Sequence, residues 1–144
     1  MLNRRSLMAV GVSMVAAPLV SRLANAQSGR LTLFFLGDQA SEECKTWRSQ
    51  WEPLFVASDA YKKMDYRVIY PANDTLLLKP ESWPADSRWV LDTFLASEDG
   101  VERGRVTPRF ILVQGQQVVF TATGHKGWRE AMWPMIMDMT ATKA

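Results

Sequence analysis

The sequence predicts an α/β domain: a small mixed sheet of about four strands with helices on both faces. Three observations predict it. Short β-forming runs alternate with segments whose apolar residues recur every three or four positions, in the order strand, helix, strand, helix, strand, strand, helix. The first run is apolar almost without a break, which suits a central strand buried on both sides. The last two strands flank a glycine-centred turn, which makes them a hairpin.

Leu31-Thr32-Leu33-Phe34-Phe35-Leu36 is the first strand, bounded by Gly37-Asp38. Ser41 reads as a helix N-cap, with Glu42 and Glu43 in the first turn, where carboxylates suit the helix dipole. Cys44, Trp47, Trp51, Leu54 and Phe55 then share one face, and Pro53 kinks or ends the helix. Tyr66-Arg67-Val68-Ile69-Tyr70 alternates and carries β-formers, so it is the second strand, stopped by Pro71; the first half is thus a parallel βαβ unit with a right-handed crossover. Residues 71–86, punctuated by Pro71, Pro80 and Pro84, form the least regular stretch. Asp86 or Ser87 caps a helix from about 88 to 96 that carries Trp89, Val90, Phe94 and Leu95, and residues 97–105 are a polar loop. Phe110-Ile111-Leu112-Val113 and Gln117 to Thr123 are the hairpin strands, turning at Gln114-Gly115-Gln116. After Gly124 and Gly127, a last helix aligns Trp128, Met132, Met135, Ile136 and Met139.

Length and composition bound the function. A chain of 144 residues makes one domain, and 47% hydrophobic with 22% charged residues is a globular profile rather than a disordered or fibrous one. One cysteine rules out an intramolecular disulfide. Residues 1–26 read as a cleavable export signal: Arg4 and Arg5, an apolar run from Leu7 to Val20, and Ala24-Asn25-Ala26 before Gln27. The apolar run is shorter than the roughly 20 residues of a membrane span, so this reading is preferred to a retained anchor. Asn3-Arg4-Arg5-Ser6-Leu7-Met8 also resembles a twin-arginine export motif. Residues 27–144 are then the folded domain. Removing the signal, whose only charges are Arg4, Arg5 and Arg22, takes the formal net charge from +2 to −1, so the basic character belongs to the leader. No lysine–arginine cluster points to nucleic acid, and nothing anchors the remaining chain to a membrane.

This order of elements, with Thr107-Pro108 at the head of the third strand, resembles the thioredoxin fold. The likeness is nearest to the periplasmic thioredoxin-like proteins of the SoxS type, which carry a Cys-x-x-Cys turn, a tryptophan three residues on and a proline further along the helix. Cys44, Trp47 and Pro53 stand at those places, followed by Thr107-Pro108-Arg109-Phe110, Gly124, Gly127 and Trp133. The resemblance implies that Pro108 is cis and sits against the active-site turn. It also implies that Thr107 binds the backbone of a protein substrate and that Gly124 lies near the same face. The first cysteine of the motif is replaced: the turn reads Ser41-Glu42-Glu43-Cys44. In the family that cysteine attacks as thiolate and the second resolves the mixed disulfide. A serine does neither, so the two-thiol cycle is closed to this chain alone.

What is left is an accessory or binding module, exported to the periplasm, that holds an extended segment of a partner protein in the groove between Ser41–Cys44 and Thr107–Pro108. No cofactor is implied. The alternative is a monothiol exchange protein in which Cys44 forms mixed disulfides with partner cysteines; the helix N-terminus attracts negative charge there while Glu42 and Glu43 repel it. A buried structural cysteine is the competing reading. His125 is either a base toward a bound thiol or a surface residue of the loop. Cys44, His125 and Met132, Met135, Met137 and Met139 hold donors that suit Cu(I), although helical spacing makes Met132, Met135 and Met139 core filler first. Trp83, between Ser82 and Pro84, is either packed in its loop or exposed as a partner anchor.

Overall fold

The computed structural model describes residues 29–97 and 107–141. The expected export signal at 1–26 lies outside the described residues, as does nearly all of the expected loop at 97–105. The described chain runs β1 (Leu31–Leu36), α1 (Glu42–Gln50), α2 (Glu52–Val56), α3 (Asp59–Lys62), β2 (Asp65–Ile69), α4 (Asp74–Leu77) and α5 (Arg88–Ala96). It continues through β3 (Arg109–Gln114), β4 (Gln117–Thr123) and a closing helix in three parts: α6 (Gly124–Gly127), a π-helical turn (Trp128–Met132) and α7 (Trp133–Thr140).

The four strands form one mixed sheet in the order β2-β1-β3-β4. β1 is parallel to β2 and antiparallel to β3, which is antiparallel to β4. β1 is therefore central, as its unbroken apolar run requires. The register sets Phe35 opposite Phe110 and Leu33 opposite Leu112. Alternation sends Leu33, Phe35, Phe110 and Leu112 to one face, with Trp47, Phe55, Trp128 and Met132. Phe34, Leu36, Ile111 and Val113 go to the other, with Leu77, Val90, Leu91 and Phe94. The helix expected at 88–96 and the strand expected at 117–123 occupy those residues.

Three expectations are corrected. The stripe running from Cys44 to Phe55 is broken at Trp51, because Pro53 has no N–H for the carbonyl four residues back; α1 ends at Gln50 and α2 restarts at Glu52. The restart turns Phe55 inward and leaves Leu54 65% exposed. Ser87 does not cap α5 through its side chain: its hydroxyl accepts from Arg67 Nη1 (2.9 Å) and donates to Asp86 (3.0 Å). Residues 71–86 contain α4, capped by Asn73, and two 3₁₀ turns. Of the two readings of Trp83, the packed one holds: it is only 3% exposed and donates from Nε1 to the carbonyl of Leu77 (2.8 Å).

The closing helix departs from the regular stripe at its centre. Pro134 removes the N–H that would bond the carbonyl of Glu130, and the N–H of Trp133 reaches back five residues to the carbonyl of Trp128. Trp128, Met132 and Ile136 stay buried, while Met137 is 49% exposed.

Candidate functional site: the cleft at the head of α1

β1, β3 and the closing helix meet at one end of the sheet. The chain leaves β1 through Gly37, whose N–H donates to the carbonyl of Ile69 (3.0 Å). A Cβ at Gly37 would stand 2.8 Å from the Phe35 ring and 2.9 Å from the Cys44 sulfur, so only glycine fits. Asp38 follows, 5% exposed. Its Oδ1 accepts from the N–H of Ala40 (3.1 Å) and its Oδ2 accepts from the hydroxyl of Thr107 (2.8 Å). Its carbonyl accepts from the N–H of Ser41 (3.2 Å). One buried carboxylate thus holds the turn before α1 against the head of β3.

Ser41 caps α1 as its sequence position predicts, its Oγ accepting from the N–H of Cys44 (3.2 Å). Cys44 is 0% exposed. Its sulfur lies under Gly37 inside the cluster that contains Phe35, Trp47 and Phe110. The Thr107–Pro108 peptide is cis, and Pro108 is buried. Gly124, at φ 71° in the left-handed region, donates from its N–H to the carbonyl of Pro108 (2.8 Å). Next to it, His125 donates from Nε2 to the carbonyl of Glu43 (2.8 Å), stitching the closing helix to the first turn of α1.

These elements enclose an open cleft of about 520 Å³, lined by Asp38, Ala40, Ser41, Glu42, Glu43, Asn73, Asp74 and Thr107. Of the residues singled out in the sequence, Ser41, Glu42, Glu43 and Thr107 line the cleft. Pro108 and Gly124 lie bonded to each other behind it, and Cys44 is sealed away from it. Every charged residue of the lining is acidic. Lys45 lies one turn along α1 and bonds Glu42 (2.9 Å), a hydrogen bond and ion pair that hold its ammonium above the usual lysine range. His125 is spent on a structural bond, and no group of three histidine, cysteine or acidic residues able to hold a metal occurs among the described residues. Met132 is buried and Met137 exposed, so the methionines do not converge on the cleft.

Asp38 is the residue that sequence reasoning missed. Gly37-Asp38 was legible as the end of a strand, and an aspartate two residues before an alanine N–H fits an Asx turn. Its bond to Thr107 spans 69 positions and has no local signature.

No protein-family model matches the chain, and no curated protein matches it. Solved structures do. A thioredoxin of Malassezia sympodialis superposes with a TM-score of 0.50 at 15% identity, covering 84% of this chain and 88% of the other. Thioredoxin f from spinach chloroplast gives 0.47 at 15% identity, over 83% and 85%. Trxlp from Edwardsiella tarda gives 0.43 at 21% identity, over 81% and 91%. The first of these, with the sheet order and the flanking helices, establishes a thioredoxin-like α/β fold.

Proposed function

We propose that this thioredoxin-fold domain is an exported accessory or binding protein, without autonomous dithiol–disulfide exchange, that holds an extended segment of a partner protein in the cleft between the Ser41–Cys44 turn and Thr107–Pro108. One observation carries the reading: the chain's single thiol is fully buried beneath Gly37, and an alcohol engaged as a helix cap stands three residues ahead of it. Exchange requires a thiolate that reaches a disulfide sulfur. A sealed thiol does not reach one, and a hydroxyl forms no disulfide. The cleft keeps its shape without that chemistry, because Asp38 fixes Thr107 and Gly124 fixes Pro108.

An extended partner segment beside Thr107 gains main-chain hydrogen bonds in the manner of strand addition. The leader at 1–26 favours export, with 27–144 as the working domain. The resemblance to SoxS-type proteins favours the periplasm and a partner from sulfur or respiratory metabolism.

Titration with a thiol reagent tests the reading. The folded protein leaves Cys44 unmodified, and denaturant exposes one thiol per chain. Rapid modification of the folded protein, lost in Cys44→Ala, would overturn it in favour of monothiol exchange. For the cleft, a photo-cross-linker at Glu42 captures a partner from an extract of the export compartment, and one at exposed Lys62 does not; equal capture by both refutes the cleft.

A further inference from the structure

A second concavity lies on the flank of the molecule, between α2 and the closing helix, and the cleft function leaves it unused. It holds about 150 Å³ and is lined by Trp51, Leu54, Phe55, Trp128, Arg129 and Trp133. The π turn builds it. In an unbroken α-helix, residues five apart lie about 140° around the axis from one another. Here the five-residue hydrogen bond brings Trp133 over Trp128, with the two rings stacked at 5.7 Å and 26°. Phe55 stands edge-on to both, at 5.6 Å from Trp128 and 6.1 Å from Trp133. Irregular turns of this kind cost regular hydrogen bonding and recur at functional sites.

The charge at the rim selects the ligand. The Arg129 guanidinium lies 5.7 Å over the ring of Trp51 and has no ion pair among the described residues. Glu52, the acidic residue of α2, is committed elsewhere: it accepts from Arg48 (3.3 Å) and from the hydroxyl of Tyr66. Glu130 follows Arg129 directly and points to another side of the helix. Four aromatic residues in the lining, Trp51 and Trp133 partly exposed and Phe55 and Trp128 buried, together with the exposed Arg129, suit a flat apolar group with an attached anion. A cavity of about 150 Å³ with apolar walls accommodates one benzene-sized ring. The acidic lining of the cleft repels the same molecule.

We propose that this cavity is a binding site for a small monocyclic aryl carboxylate, with the ring against the accessible faces of Trp133 and Leu54, over the buried Phe55 and Trp128, and the carboxylate on Arg129. The site is independent of the cleft and of the reading given for it. The full chain is titrated with phenylacetate and with 2-phenylethanol, following tryptophan fluorescence and isothermal calorimetry. Phenylacetate binds once per chain with a Kd below about 1 mM, and the alcohol binds at least tenfold more weakly. Arg129→Gln brings phenylacetate to the level of the alcohol while leaving the unfolding temperature unchanged. Leu54→Asp, at an exposed position on the rim, weakens both ligands. Absence of saturable phenylacetate binding overturns the proposal, as does equal affinity for acid and alcohol or indifference to Arg129→Gln. Tighter binding of a short peptide ending in a C-terminal phenylalanine would reassign the cavity to a chain terminus and overturn it likewise.

Discussion

The two faces of the sheet are built from the same strands and differ in what they hold. On one, Phe35 stacks on Trp47 (4.7 Å, 13°), Trp47 meets Trp128 edge-on (5.3 Å, 82°), and Phe110 closes the group at 5.1 Å from Trp47. On the other, Leu36, Ile69, Leu77, Val90, Leu91, Ile111 and Val113 pack as an aliphatic layer in which Phe34 and Trp83, at 5.9 Å, are the ring pair. Cys44 and the flanking cavity belong to the aromatic side, while the cleft lies at the end of the sheet and is also lined by Asn73 and Asp74 at the head of α4, whose Leu77 packs on the aliphatic side. Aromatic rings have few rotamers and directional contacts, so they fix the positions of neighbouring groups; an aliphatic layer mainly fills volume.

The largest test compares one buried residue from each face. Trp47→Ala should cost about 4 kcal/mol in chemical denaturation, and Leu91→Ala about 3 kcal/mol. The difference is modest because both leave cavities. The spectra separate them more sharply: near-ultraviolet circular dichroism should collapse in Trp47→Ala, which removes the hub of the ring stack, and survive in Leu91→Ala. Equal loss in both would mean that the aromatic side has no rigidity of its own.

The next effect belongs to the cleft. Asp38→Ala removes the acceptor for the Thr107 hydroxyl and for the N–H of Ala40, both in a buried setting, and should cost about 2 kcal/mol. Hydrogen exchange would locate the loss: amides of the turn before α1 should speed up while those of α5 stay protected. Uniform acceleration would show that Asp38 serves global stability instead of the cleft.

How much of this was legible depends on the range of the interaction responsible. β1, α5 and β4 follow from local pattern, because continuous or periodic apolar runs are written in consecutive residues. Ser41 was readable as a cap for the same reason, and Thr107, Pro108 and Gly124 through the resemblance of their motifs. The break at Trp51 was half-legible: Pro53 announces an interruption, but which way Leu54 and Phe55 point afterwards depends on the neighbours available to bury one of them. The π turn is subtler. Pro134 loosens the helix there, and the stacking of Trp133 on Trp128 is what the resulting register exploits. Cys44 was ambiguous by composition, and its burial depends on Gly37, whose missing side chain lets the sulfur sit beneath the turn. Asp38 and Trp83 were the least legible. One acts across 69 positions, and the other is buried by a loop with no period.

The smallest effect contrasts the polar groups that the same strand presents to the two faces. On the aromatic side, Tyr66 donates to Glu52 in a half-buried position. On the other, Arg67 pairs with an exposed Asp86 at 2.8 Å. Burial, then the bond to Glu52, raises the Tyr66 phenol above its usual range. Its folded-state pKa exceeds the unfolded value, so its contribution is complete below about pH 10 and is lost as pH rises above that. Tyr66→Phe keeps the ring against Phe55 (5.2 Å) and removes the hydroxyl. It should cost about 1 kcal/mol at neutral pH, and the variant should lose less stability than the parent between pH 9 and pH 11. Arg67 and Ser87 hold the Asp86 carboxyl below the usual range, so its smaller contribution is present above the unfolded pKa of about 4 and is lost in acid. Asp86→Asn should therefore flatten only the acid limb of the stability curve. An alkaline limb unchanged by Tyr66→Phe would show that the phenol is solvated in the folded state, and the contrast between the two faces would then not extend to their polar pairs.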